Sequence, residues 1–308
     1  MKYVLNRVLM GVLTLFVLAT ICFFLVRAIP GGPFDGEVAL PASVVKNIEV
    51  KYGVNEPILG QYFIYMKRIV RGDLGESFKY ENQTVSSLIA RGFPVTARLG
   101  LAAIVIALSF GIVLGVVSSL KHRGIIDMIT LTISMVGICL PSFVIAILLM
   151  YFFGLKLGWF PFMGIDTLRH YILPSIALSL YPIAYVSRLT RASMLEVLGQ
   201  DYIITARSKG ISKFKIVFIH ALKNALLPVV TYIGPLIAYL LTGSFVIEKM
   251  FSIPGIGKMF VTGIGNRDYS VVLGMTIFFG ALLVLLGIVV DLAYMFIDPR
   301  VKFEKRDN

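Results

Sequence analysis

The chain has 308 residues, of which 57% are hydrophobic and 15% are charged. A protein embedded in a bilayer needs so apolar a composition, whereas a water-soluble protein of this length does not. We therefore predict an all-α integral membrane protein without a soluble catalytic domain. The formal net charge of +12 is spread over many loops, which argues against a nucleic-acid-binding face and indicates attraction to anionic lipid.

Six stretches are long and apolar enough to cross a bilayer, because a spanning helix needs about 20 mainly apolar residues. None of them contains Asp, Glu, Lys or Arg. In chain order the predicted transmembrane helices are Val8–Val26, Leu99–Leu120, Met128–Leu155, Tyr171–Ser187, Ala225–Ile247 and Tyr269–Val290.

The first stretch follows two bases, Lys2 and Arg7, as the core of a cleaved signal peptide does. Its 19 residues exceed the about 7–15 apolar residues of a signal core, and residues 27–32 lack a small-x-small cleavage pattern. We therefore expect it to remain as a membrane anchor.

The segment between the first two spans, residues 31–98, carries mixed charge and is long enough to fold partly outside the membrane. We predict short amphipathic helices at Asn47–Tyr52 and Ile58–Val70, separated by Gly53 and Pro57. The first span and most of this segment form the first predicted domain, residues 1–93.

Glycines and prolines within the spans predict how the helices pack. Gly111 and Gly115 stand at small-x-x-x-small spacing, which predicts a close approach between helices. Prolines free backbone carbonyls that hydrocarbon cannot satisfy, so we expect kinked helices that pack on protein or face a wet cavity. The prolines concerned are Pro141, Pro174, Pro182, Pro228 and Pro235.

The second long polar segment, residues 188–224, has the pattern of a helix, a glycine turn and a second helix. We predict that Asp201 caps the helix Tyr202–Lys209, that Gly210 ends it in the left-handed conformation, and that Ser212 caps the second helix. The first helix presents four side chains that fit either a lipid surface or a groove on a partner protein, and their spacing alone does not decide between the two. These four are Tyr202, Ile203, Ala206 and Arg207.

Basic residues in short loops set the orientation of a membrane protein. Placing the amino terminus in the cytosol puts 15 bases on the cytosolic side and five in the short outer loops. We therefore predict that both termini are cytosolic, with residues 188–224 on the same side and residues 296–308 as a cytosolic tail.

The chain lacks the motifs of ATP hydrolysis and of metal catalysis. No Gly-x-x-x-x-Gly-Lys-Ser/Thr occurs to hold nucleotide phosphates. His122, His170 and His220 are isolated in the sequence, so no metal site is predicted. We expect no catalytic residue and no bound cofactor, and hence no enzyme.

Ion-coupled transporters keep ionisable groups at membrane depth, and these spans have almost none. Asp291 is the exception; a structural role, such as pairing with a base, and a transport role both remain open for it. The lack of charge indicates that energy comes from another protein. An ion-coupled secondary transporter and a structural membrane scaffold remain as alternatives.

Residues 196–230 read EVLGQDYIITARSKGISKFKIVFIHALKNALLPVV and resemble the cytosolic loop of the permease subunits of ATP-binding-cassette importers for peptides. The stretch from Thr205 to Gly210 stands where that family has a Glu-Ala-Ala…Gly signature, with Thr205 and Arg207 in place of Glu and the second Ala. The resemblance covers nearly the whole chain and is strongest to the oligopeptide branch. Other agreeing strings are GDLGESF at 72–78, LPSF at 140–143, GWFP at 158–161, PGIG at 254–257, RDY at 267–269 and DPR at 298–300.

This resemblance implies a six-helix type I importer permease in the bacterial cytoplasmic (inner) membrane, with residues 94–295 as the permease domain. The implied partners are a homologous second permease, two cytosolic ATPases and an extracytoplasmic peptide-binding protein, for which residues 31–98 are the candidate docking surface. The implied cargo is oligopeptides; dipeptides, nickel chelates and other peptide-like solutes are the alternatives.

The resemblance also implies that the loop 188–224 couples the permease to its ATPase. The implied coupling residues are Tyr202, Thr205, Ala206, Arg207, Lys209 and Gly210. Five polar residues of the spans are candidates to line the transport pathway, with contacts between helices as the alternative role for each. They are Ser142, Tyr181, Tyr185, Tyr232 and Thr242.

Overall fold

The computed structural model describes residues 2–28, 56–80 and 82–297. These residues are mainly helical, and their only extended pairing is an isolated bridge between Glu76 and Thr84. The helices are α1 (Lys2–Ala28), α2 (Ile58–Val70), α3 (Val85–Leu120), α4 (Ile125–Cys139), α5 (Ser142–Leu149), α6 (Ile172–Leu198), α7 (Asp201–Ser208), α8 (Lys213–Lys215), α9 (Leu222–Ala225), α10 (Leu227–Leu241), α11 (Phe245–Met250), α12 (Ile256–Gly265) and α13 (Tyr269–Ile297). The predicted helix Asn47–Tyr52 and the tail beyond residue 297 lie outside the described residues.

Within the described ranges, five helical segments are long and apolar enough to cross a membrane. A sixth crossing exists if α4 and the helix that follows it are counted as one broken span. The predicted all-α membrane fold with six spans is confirmed. The helix predicted at Ile58–Val70 is also confirmed, since α2 has these bounds.

The described residues divide into two compact units: those within 1–96 and 254–292 form the first, and those within 97–253 and 293–297 form the second. In the first unit, α1 and α13 run antiparallel. Arg7 near the start of α1 pairs with Asp291 near the end of α13, at 2.8 Å between Nε and Oδ2. Phe23 near the end of α1 packs with Tyr269 at the start of α13. The pairing of Asp291 with a base is therefore confirmed.

An aromatic cluster fixes α2 against the rest of the first unit. The rings of Tyr65 and Phe23 stack with their centroids 5.3 Å apart, and the Tyr62 hydroxyl lies 2.9 Å from Thr20 Oγ1. Asp268 precedes α13 and is buried; it accepts hydrogen bonds from the backbone N–H of Phe78 and from the Ser77 hydroxyl. These contacts hold the polar segment before α3 against the start of α13.

In the second unit, α6 is the central helix and packs against α4, α5 and α10. Gly111 and Gly115 of α3 face α6, where a methyl group on either would come within 2.8 Å of Val186 Cβ or 2.6 Å of Thr190 Cβ. The close approach predicted from their spacing is confirmed.

The third predicted span, Met128–Leu155, is not one helix. It breaks into α4 and α5, the latter continuing as a π-helix over Met150–Lys156, and the two arms are bent by 105°. The stretch is not one continuous helix because Pro141 lacks an N–H and restricts Leu140 to an extended conformation, with φ −83° and ψ 126°.

The other span prolines have milder effects. Pro174 and Pro228 stand in the first turns of α6 and α10, where the missing N–H has no helical partner anyway. Pro182 and Pro235 lie inside these helices. Two further boundaries differ from prediction: α3 begins at Val85, well before Leu99, and the fifth span is interrupted by Gly243 at φ +83°.

Candidate coupling site

The short helix α7 begins without a side-chain cap. Gln200 is its N-cap residue, and the backbone N–H groups of Ile203 and Ile204 donate to the Gln200 carbonyl at 3.0 and 3.2 Å. The prediction that Asp201 caps the helix is wrong, since Asp201 is its first residue and accepts no capping bond. Its carboxylate lies in the first turn, where the helix dipole favours negative charge.

The glycine stop of α7 is present as predicted. Gly210 has a φ of +74°, and its N–H donates to the Arg207 carbonyl at 3.0 Å. The next N–H, that of Ile211, donates to the Ala206 carbonyl at 3.2 Å. This pair of bonds is a Schellman motif, which satisfies the last carbonyls of the helix and reverses the chain toward α8.

The apolar face of α7 is turned into its own subunit. Ile203 is fully buried and Ala206 is 7% exposed, and both pack on Met194 of α6 and Val116 of α3. The expectation that α7 presents these two side chains to lipid or to a partner is therefore wrong. Both side chains instead attach α7 to the membrane helices.

The remaining predicted coupling residues are exposed. Tyr202, Thr205, Arg207 and Lys209 lie on the surface of α7 and its end. The Tyr202 hydroxyl accepts a hydrogen bond of 2.9 Å from Asn224 Nδ2, which ties α7 to α9. Arg207 and Lys213 line an open groove, together with Ser119, Leu120, Leu198, Ile211, Ile216 and Val217. The exposed basic surface suits acidic groups on a partner.

The second helix of the loop leads toward the fifth span. Ser212 occupies the N-cap position of α8, as predicted, but its side chain makes no capping hydrogen bond. A π-helical stretch, Ile216–Ala221, connects α8 to α9, and α10 begins at Leu227. Ile216, Val217 and Ala221 join the same apolar cluster as Ile203, so both helices of the loop rest on one patch.

Beside this cluster lies a buried ion pair that the sequence did not reveal. Asp127 of α4 is 3% exposed, and the Arg191 guanidinium of α6 binds both of its carboxylate oxygens, Nε to Oδ1 at 2.6 Å and Nη2 to Oδ2 at 2.8 Å. The Ser118 hydroxyl and the Arg123 backbone N–H also donate to the Asp127 carboxylate. The ring Nδ1 of His122, isolated in the sequence, lies 3.1 Å from Arg191 Nη2.

The candidate pathway residues are only partly brought together. Tyr181 and Tyr185 lie one turn apart on α6 and are exposed, and the Tyr185 ring lies 4.3 Å from that of Tyr232 on α10, centroid to centroid. Thr242 ends α10 and donates its hydroxyl proton to carbonyls of its own last turn. Ser142 begins α5 and is half-buried. Three of the five residues therefore form a tyrosine-rich face, and whether it lines the pathway stays a prediction.

Comparison with known proteins gives the family. Residues 85–303 match the family model described as the inner membrane component of binding-protein-dependent transport systems, and residues 1–100 match the model of the N-terminal part of such components. These two matches together cover nearly the whole chain.

Full-length relatives agree with the family models. The chain is 48% identical to the oligopeptide transport system permease protein OppB of Salmonella typhimurium, over 98% of this chain and all of the relative. It is 45% identical to the dipeptide transport system permease protein DppB of Bacillus subtilis, over 99% of each. It is 44% identical to OppB of Haemophilus influenzae, over 98% of this chain and all of the relative. The chain therefore belongs to the family of inner membrane components of binding-protein-dependent transport systems.

Proposed function

We propose that this chain is the transmembrane permease subunit of an ATP-binding-cassette importer that carries oligopeptides across the cytoplasmic membrane. The observation that carries this proposal is the full-length similarity to peptide permeases, at 48% identity to an oligopeptide permease. A dipeptide cargo is the second candidate, because one relative of nearly equal identity is a dipeptide permease.

The proposed partners are a homologous second permease, two cytosolic ATPases and an extracytoplasmic peptide-binding protein. The family description, which names a binding-protein-dependent system, supports the last of these. Residues 31–98, of which residues 56–80 and 82–98 are described, remain the proposed docking surface for the binding protein. The chain itself is proposed to bind no cofactor and to hydrolyse no ATP.

Both termini are proposed to be cytosolic. The excess of bases in the loops assigned to that side supports this orientation. The antiparallel course of α1 and α13 supports it too, since it puts Arg7 and Asp291 on the same side of the membrane.

The coupling loop is proposed to carry ATPase motion to the spans. The buried residues of α7 anchor it on α3 and α6, while the exposed Tyr202, Arg207 and Lys209 are left for the ATPase. Packed helices move as units between discrete arrangements, so closure of the ATPases on ATP binding would tilt this patch and open the pathway outward. Hydrolysis would reset it.

Uptake by the complete complex in proteoliposomes tests this function. Labelled peptides of graded length, starting from the dipeptide, are offered with the binding protein, with ATP inside. We expect ATP-dependent accumulation that favours peptides longer than two residues. Accumulation of dipeptides alone would favour the second candidate, and accumulation of no peptide would contradict the proposal.

A further inference from the structure

Asp127 is held by groups from three separate parts of the second unit. Ser118 belongs to the last turn of α3, Arg123 to the turn between α3 and α4, and Arg191 to α6. All of them donate to one buried carboxylate, which lies in the first turn of α4. A single side chain therefore joins the ends of three helices.

This junction is continuous with the support of the coupling helix. Arg191 lies one turn before Met194 on α6, and Met194 belongs to the same apolar cluster as Ile203 and Ala206 of α7. On α3, Val116 of the same apolar cluster lies two residues before Ser118. A displacement of α7 is therefore transmitted first to the apolar cluster and then to the ion pair.

The two kinds of contact respond differently to a displacement. Apolar side chains tolerate sliding because dispersion and burial have little directionality. A bidentate guanidinium–carboxylate pair is planar and directional, and it fits in one register only. The α4 helix also approaches α6 closely at Gly137, where a methyl group would come within 3.2 Å of the Leu180 carbonyl oxygen and 3.3 Å of Ala184 Cβ. Among the described residues at this end of α4, the Arg191 fork is the directional contact from α6 that sets the register between the two helices.

We propose that Asp127 and Arg191 are positioning residues for energy coupling: they lock the ends of α3, α4 and α6 into one body that moves with α7. This proposal rests on the proposed permease function, and it adds the route by which motion received at α7 reaches the broken span that begins with α4.

The test replaces the pair by a neutral one in the full complex. Asp127→Asn/Arg191→Met keeps an acceptor for Ser118 and Arg123 and fills the space of the arginine stem. The matched control is Asp291→Asn/Arg7→Met, which removes the other described carboxylate–arginine pair between spanning helices. Peptide transported per ATP hydrolysed is measured in proteoliposomes and normalised to the amount of assembled complex.

We expect the Asp127→Asn/Arg191→Met complex to assemble and hydrolyse ATP, but to transport about tenfold less peptide per ATP, a typical size for a lost coupling. The control should stay within about twofold of wild type. A normal ratio in the first variant would overturn the proposal, as would an equal fall in both pairs. Failure of the wild-type complex to accumulate peptide would instead count against the proposed function.

A second variant covers the case in which the first does not assemble. Arg191→Lys keeps the positive charge but loses the fork, so we expect it to assemble and still lose transport per ATP. If Arg191 contributed to stability alone, the Arg191→Lys complex would both assemble and couple normally. That result would overturn the proposal.

Discussion

At Gly210 the backbone adopts a conformation that side-chain-bearing residues avoid. Its φ of +74° allows the chain to reverse between α7 and α8, and a Cβ built there would meet no atom within 4 Å. Any penalty of a substitution therefore comes from the backbone conformation and not from a clash. This makes Gly210 a clean position at which to test the turn.

Gly210→Leu should impair coupling, because it forces a left-handed leucine at a cost of about 1–2 kcal/mol and favours another path between the two helices. We expect loss of peptide-stimulated ATPase activity and of uptake in the reconstituted complex. Gly210→Asn should retain much of both, since asparagine tolerates this conformation.

The control for that experiment is Gly199→Leu, in the same loop. Gly199 has an ordinary φ of −88°, so leucine needs no strained backbone there. Normal peptide-stimulated ATPase activity in Gly210→Leu would remove the turn from the coupling mechanism.

Arg191→Leu should destabilise the subunit by about 3 kcal/mol, because the Asp127 carboxylate stays buried without its guanidinium. Asp127→Leu/Arg191→Leu should cost less than the single change, since no charge is then left buried. The midpoint of thermal unfolding in detergent measures both. A double variant less stable than Arg191→Leu would contradict this reading of the pair.

These two residue sites also show what the sequence can reveal. The Gly210 turn was predictable because its cause is local: a glycine closes a helical pattern. The Asp127–Arg191 pair was not, because its members are 64 residues apart and each stands beside an apolar stretch as an ordinary boundary charge. Only the packing of α4 on α6 brings them together.

At the scale of elements, the lengths of the apolar stretches predicted the positions of the helices better than they predicted the residues at which the helices end. The bounds of α2 were predicted, and α1 and α13 contain the predicted first and sixth spans. The break at Pro141 was expected only as a kink, because sequence does not show whether neighbouring helices support a bend of 105°. The α12 helix was missed, since its ten residues are too few to span a bilayer.

The α2 helix has one face buried in the aromatic cluster and another that exposes Leu59 and Phe63. If this segment docks the binding protein, Leu59→Ser/Phe63→Ser should reduce binding-protein-dependent uptake several-fold, as loss of apolar anchors does at interfaces. Uptake at increasing concentrations of binding protein gives the measurement.

The matched control lies on the opposite face of the same helix. Burial raises the pKa of the Tyr65 hydroxyl, which has no hydrogen-bond partner among the described residues. Tyr65→Phe therefore keeps the packing and should leave uptake unchanged. Unchanged uptake in Leu59→Ser/Phe63→Ser as well would rule out this face as the docking surface.

At the scale of the whole molecule, the charges near the spans bear on the source of energy for transport. The predicted spans carry no charged side chain, and the ionisable residue next to the last of them, Asp291, is paired with Arg7. Ion coupling needs groups that gain and lose an ion at membrane depth. This agrees with the proposal that the energy comes from partner ATPases.

The proposed orientation is tested by reporter fusions at the two ends. Green fluorescent protein folds in the cytosol and alkaline phosphatase is active outside it. We expect fluorescence from both termini and no phosphatase activity at either. Phosphatase activity at one end would contradict the orientation and place the coupling loop in doubt.

We propose that transport is driven by a separate ATPase acting through the loop 188–224. Peptide accumulation is measured in proteoliposomes that hold this chain and the second permease, with or without the ATPases, and with either ATP or an imposed ion gradient. We predict accumulation against a gradient only when both the ATPases and ATP are present. Accumulation driven by the ion gradient without the ATPases would contradict the account.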